Sequence, residues 1–294
     1  MLIAERFFSN GGWVQIFLIA TYGTFLTYKM QDPRHTAKWR VLSWSLFSVV
    51  FFTQLILGVT VSEKFLMSGK LHLPIPAMII AGPIYRGQIT FMAILFLSTI
   101  ILTGPAWCSH LCYFGAVDGI SSSGKKSGKE IKRKLFSRHT VLILVIVASL
   151  ILRFFGFDPL VSILAGITFG VVGLIIILFI SRKKGRMVHC IAYCPVGTLV
   201  GYLKYLNPMR IRIDAGCTYC YSCTRVCRYD ALTDKNLKEK KPGITCTLCG
   251  DCITSCHDSL LGYKFPGLNR TASRHLYLFL TISIHSIFMA LAKI

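Results

Sequence analysis

Eight of the twelve cysteines in this 294-residue chain fall into two runs of one pattern. These are Cys217, Cys220, Cys223, Cys227 and Cys246, Cys249, Cys252, Cys256, each CxxCxxCxxxC. A cubane 4Fe-4S cluster needs four thiolates converging on its iron corners. A tight CxxCxxC loop supplies three, and the displaced fourth cysteine reaches across to the neighbouring cluster. The spacing therefore predicts two crossed ligand sets: Cys217, Cys220 and Cys223 with Cys256, and Cys246, Cys249 and Cys252 with Cys227. Zinc would need only four ligands and leaves the third cysteine of each loop unexplained. Arg228 and His257 stand where a proline usually follows the fourth cysteine. Proline there shapes the turn without ligating iron.

The other four cysteines form two CxxxC pairs, Cys108 with Cys112 and Cys190 with Cys194. A shift of 82 residues superposes both pairs and carries Gly115 onto Gly197 and Gly119 onto Gly201, so Trp107–Ile120 aligns with His189–Tyr202. Repeated membrane units often place a shared site at their interface. The four thiols are therefore candidates for a third iron-sulfur or other metal centre, or for redox-active dithiols.

These groups need a scaffold, and composition describes it. The chain is 53% hydrophobic and 15% charged, with a net charge of +21, which suits a polytopic membrane protein better than a globular domain or a nucleic-acid binder. Apolar runs at Trp13–Tyr28, Val41–Val61, Ile89–Trp107, Thr140–Phe155, Leu160–Ile180 and Leu276–Ala292 predict six spans. The first, fourth and sixth are short. The segments Lys29–Arg40, Lys125–Arg138 and Arg182–Arg274 would share one face, and they hold 27 of the 33 Lys and Arg residues. The positive-inside rule makes that face cytoplasmic, with both termini outside, in an inner-membrane protein. The expected fold is mainly α: a helical bundle with an internal parallel repeat, and a small cytoplasmic α+β unit of bacterial ferredoxin kind. The expected divisions are a transmembrane region at 1–206, the two-cluster unit at 207–265 and a C-terminal transmembrane helix at 266–294. No nucleic-acid recognition motif accompanies the basic charge.

The order of helix pair, GPAWCSHLC, basic loop, helix, FDP turn, helix, HCIAYCPVG and two ferredoxin motifs resembles the NapH-type ferredoxin membrane proteins over roughly Trp39–Tyr263. Those are quinol dehydrogenase subunits associated with periplasmic nitrate reductase. The resemblance implies four spans, two CxxxCP motifs at the pairs named above, and a cytoplasmic pair of 4Fe-4S clusters on the eight cysteines. Tyr113 replaces the first motif's proline, and a helix is added at each end.

The resulting expectation is an electron-transfer subunit linking the quinol pool to another subunit of a redox complex, such as a soluble iron-sulfur protein or a cytochrome. It would belong to a quinol-linked oxidoreductase of a respiratory chain. A membrane protein of metal-centre maturation or redox sensing is the alternative. Glu63, His72 and Arg86, around an apolar segment, are the candidate quinone contacts; a cytoplasmic-side site near Trp107, His110, His139 and His189 is the other option. Haem is not expected. His285 lies inside the last apolar run without a paired histidine at its depth and reads as a helix-packing hydrogen bond. No phosphate loop, flavin fingerprint or nucleophile triad is visible, so bound clusters must carry the chemistry.

Overall fold

A computed structural model describes residues 2–66, 74–124 and 130–290. The chain is mainly helical. Four helices among the described residues are long and apolar enough to cross a membrane. They are α2 (Pro33–Thr60), α3 (Phe91–Leu111), α5 (Lys134–Phe154) and α6 (Pro159–Lys184). The first and last predicted runs form α1 (Gly11–Gln31) and α8 (Arg270–Ala290), each 21 residues long. Polar residues, such as Gln15, Ser273, Thr281 and His285, hold these two below the apolarity of the other four.

Local chemistry explains the helix starts. Asp32 caps α2 by accepting from the Arg34 amide at 2.9 Å, with Pro33 in the first turn. Asp158 does the same for Leu160 at 2.7 Å, ahead of Pro159. In each case proline gives up a donor that the helix start could not satisfy internally. Helix α2 therefore begins well before the apolar run at Val41, and the basic segment expected as a loop is its first two turns.

Helices α1 and α8 pack along one another, joined by Gln15 donating to the Ala290 carbonyl at 2.9 Å. His285 uses both ring nitrogens, one against the Tyr22 hydroxyl at 3.0 Å and one against the His110 carbonyl at 3.1 Å. Neither nitrogen is left for an axial haem bond. The outward faces of α5 and α6 carry exposed Ile143, Leu144, Leu164, Leu178 and Phe179, as suits contact with lipid.

Helix α3 ends in a π-helical turn at Trp107–Leu111, and the chain then bends at Cys112 and enters the nine-residue helix α4 (Tyr113–Ser121). After α6 it makes a π-helical turn at His189–Tyr193, bends at Cys194, and enters the nine-residue helix α7 (Pro195–Leu203). The bends share one conformation, φ/ψ −78°/114° at Cys112 and −73°/118° at Cys194.

Beyond α7, strand β1 (Arg210–Ile213) pairs antiparallel with β2 (Leu261–Lys264), with Ile211 opposite Tyr263. Between them lie the two cysteine loops and three short helices, around a core that includes Ile211, Ile213, Leu232, Leu237 and Leu248. Basic residues pin this unit to the helices. Arg40 grips the Asp251 carboxylate with two bonds from Nη2, at 2.8 and 2.9 Å. Lys134 and Arg186 meet the two oxygens of buried Asp230, each at 2.9 Å. Arg228 donates to the Gly119 carbonyl at 2.8 Å. Part of the positive charge read from sequence as a topology signal therefore serves as a docking device.

Candidate metal centres

Each four-cysteine loop is shaped by left-handed residues at matching positions. Tyr219 and Tyr221 follow Cys217 by two and four residues, with φ of 54° and 59°; Leu248 and Gly250 follow Cys246 by the same intervals, with φ of 59° and 82°. Three of the four are not glycine, a conformation that costs roughly 1–2 kcal/mol per residue. Alternating handedness turns successive backbone N–H groups inward, a concavity suited to an anionic iron-sulfur cluster.

Thiols of the two runs interleave. Cys223 lies within electrostatic range of Cys217 and Cys256. Cys252 lies within range of Cys249, Cys246 and Cys227. The latter four line one cavity with Tyr229 and Asp251. A tetrahedral zinc at about 2.3 Å from each sulfur holds its thiolates about 3.8 Å apart. Among the described residues, no three cysteines bring their sulfurs within 4.8 Å of one another. No trio of sulfurs in the two loops is therefore spaced for a single zinc ion. Cys220 is exposed, whereas Cys223, Cys227 and Cys252 are buried. Burial pushes the Cys227 thiol up to about 12, so a bound metal must displace its proton.

The four CxxxC cysteines also converge. Cys190 is within electrostatic range of Cys112, Cys194 and Cys108. The Cys112 sulfur accepts from the amides of Phe114 and Gly115, and the Cys194 sulfur accepts from those of Val196 and Gly197. Both sulfurs thus sit at helix N-termini, where a thiolate is favoured. Burial opposes this and pushes Cys194 up to about 11.

The membrane-side thiols adjoin the second loop. Cys108, Cys190 and Cys246 line one cavity with Arg138 and Tyr229. The Tyr229 hydroxyl donates to the Cys108 carbonyl at 2.8 Å. Arg138 donates to the Gly197 carbonyl at 2.7 Å and buries its other terminal nitrogen without a partner. Tyr277 of α8, near Cys249 and Cys246, likewise buries an unpartnered hydroxyl. These orphaned donors fit the net negative charge of a thiolate-ligated iron-sulfur cluster, whose iron the thiols would hold. Sequence reading missed Arg138, Tyr229 and Tyr277; a tyrosine or arginine in these segments carries no signal until the fold brings it to a thiol.

Two stretches, 88–130 and 167–213, match the family described as 4Fe-4S binding domain. Iron-sulfur binding segments are present. Each matched stretch contains one CxxxC pair with its π-helical turn and following helix, and both end before Cys217. Over 81 residues the chain is 32% identical to YccM of Escherichia coli (strain K12), provisionally named an electron transport protein. That alignment covers 27% of this chain and 22% of YccM, so the chain spans about a fifth of the curated relative it matches. No solved structure matches the chain.

The proposed quinone contacts are not brought together among the described residues. Glu63 and Arg86 are both exposed, no hydrogen bond or ion pair joins them, and His72 lies outside the described residues. Of the cytoplasmic-side alternatives, Trp107, His110 and His189 are buried.

Proposed function

We propose that the chain is an integral membrane electron-transfer subunit linking the quinol pool to a partner redox protein of a respiratory complex. The observation that carries this reading is the cavity shared by Cys108, Cys190 and Cys246. It brings two of the CxxxC thiols to a thiol of the second loop, and Cys246 also lines the cavity that holds Cys227, Cys249 and Cys252. In this reading, Cys217, Cys220, Cys223 and Cys256 hold one 4Fe-4S cluster, and Cys246, Cys249, Cys252 and Cys227 hold the other. The CxxxC cysteines form a third metal or redox-thiol centre at the repeat interface. Bound clusters would supply one-electron transfer; the protein fixes their separation and surroundings.

Helices α1 and α8 complete the proposed six spans. At 1.5 Å per residue, 21 residues reach about 31 Å, enough for the hydrocarbon core, and α1 exposes Trp13, Val14, Phe17 and Leu18. With six spans and the positive-inside rule, the cluster unit is cytoplasmic and the termini are outside. Glu63, His72 and Arg86 would then lie at the outer end, where the quinol contact is proposed. The resemblance to NapH-type subunits and the name of YccM support electron transport. The added helices point to a docking partner other than the nitrate reductase system.

One observation favours the second reading, metal-centre maturation or redox sensing: a compact mixed donor group at Cys190, described next. Anaerobic iron and sulfide analysis with EPR, titrated with a quinol analogue, separates the two readings. About eight irons on the two loops, reduced by quinol, are expected for the subunit. Clusters that ignore quinol would transfer the reading to maturation or sensing.

A further inference from the structure

The 82-residue repeat is symmetric in its cysteines and asymmetric beside them. The shift maps His189 onto Trp107 and Asp118 onto Val200, so one copy lacks a histidine and the other lacks a carboxylate. The fold brings these unmatched residues to the same thiol. Donor atoms of Asp118, His189 and Cys190 lie within 4.8 Å of one another, the group of three among the described residues that does so. The CxxxC sulfurs alone stand too far apart to close on one ion.

The trio is built into the interior. Asp118 is 0% exposed and His189 3%. Asp118 accepts through Oδ2 from the Cys190 amide at 3.1 Å, which sets its distance from the thiol. Ser181, in a π-helical stretch of α6, accepts from the Val188 amide at 3.0 Å and tethers the turn carrying His189. Two atoms are left over: Asp118 Oδ1 and His189 Nδ1 are both buried without a hydrogen-bond partner. A buried polar atom left unpaired costs about 1–3 kcal/mol, and more when it is charged. One cation between them would satisfy both.

We propose that Asp118, His189 and Cys190 bind a single divalent transition-metal ion of the Zn2+ or Fe2+ class. Carboxylate, imidazole and thiolate together make a borderline donor set that suits those ions and disfavours calcium or magnesium. Three protein ligands leave a fourth position open, and Cys112 and Cys194 are the neighbouring thiols. This inference rests on the proposed metal-handling role of the CxxxC region and deepens it. It makes the centre lopsided, with one copy giving a carboxylate and the other an imidazole and a thiolate.

The test is equilibrium dialysis of the intact, anaerobically purified protein against Zn2+, with X-ray absorption at the zinc edge. One zinc per chain is expected, bound by one sulfur and by nitrogen or oxygen ligands. Asp118→Asn and His189→Gln should each weaken binding by at least about tenfold, while the EPR signals of the two loop clusters stay unchanged as the control for folding. Cys108→Ser should leave zinc in place. His189→Cys should retain zinc and add a second sulfur to the spectrum, which a merely structural histidine would not do. No stoichiometric zinc, an all-sulfur spectrum, or binding unchanged by Asp118→Asn and His189→Gln would overturn the inference. So would additional iron lost in both Cys108→Ser and Cys190→Ser, since a third cluster would then own Cys190. That last result would leave the electron-transfer reading standing, whereas clusters that ignore quinol would remove that reading without touching the zinc arms.

Discussion

The hydroxyl of Tyr229 donates to the main-chain carbonyl of Cys108 across 2.8 Å. Tyr229 stands two residues beyond Cys227, so one side chain spans from the end of the first cysteine loop to the first CxxxC thiol segment. It lines the cavities on both sides of itself. Tyr229→Phe keeps the ring and removes the bond, leaving a buried carbonyl short of a donor. The expected cost is about 1–3 kcal/mol, read as a lower unfolding midpoint, with iron content unchanged. Tyr229→Ala should instead open the two cavities into one and reduce iron retention on the second loop.

Tyr277 presents the reverse case. Its hydroxyl is buried without a protein partner, beside Cys249 and Cys246. Hydrogen bonds to cluster sulfurs stabilise the more negative, reduced state and raise the potential. Tyr277→Phe should therefore lower the potential of the second cluster in an EPR-monitored redox titration and leave the first cluster where it was. Without clusters the same change should be neutral or slightly stabilising, because no bond is lost.

The crossed ligand sets give a pattern of loss that sequence order alone would not. Cys256→Ser and Cys217→Ser should abolish the same EPR signal, although 39 positions separate them. Cys227→Ser should abolish the other. Each change should lower iron from about eight to about four per chain. Loss of one signal by both Cys217→Ser and Cys227→Ser would show that each run ligates its own cluster.

Arg40 and Asp251 form a pair whose side chains are 4% and 20% exposed. Removing one partner strands a mostly buried charge, at a cost of about 3–5 kcal/mol. Arg40→Ala should loosen the 207–265 unit from α2, seen as faster limited proteolysis in that region with the helices intact. Replacing both residues by apolar ones of similar volume should restore much of the protection, because the stranded charge is gone.

How much could be read in advance follows from the range of each interaction. Ligand spacing is local, so the two cysteine runs pointed to their chemistry from the chain alone. Three long apolar runs pointed to α2, α3 and α6, and a shorter one to α5, for the same reason. Helices α1 and α8 were harder, since they spend polar residues such as Tyr22 and His285 on each other. Arg40 looked like one basic loop residue among many; its role depends on Asp251, 211 positions away. Asp118 and His189 were each visible, yet their meeting depends on how two copies of a repeat face one another.

The unit bearing the loops is held at Asp251, at Asp230 and through Arg228 by cations anchored in or beside the membrane helices. Such an attachment allows no swinging arm. Under the proposed function, a partner exchanging electrons at the exposed Cys220 loop would have to travel to it, collide in the right orientation and leave again. The rate of such an exchange would then follow the concentration and surface charge of the visitor.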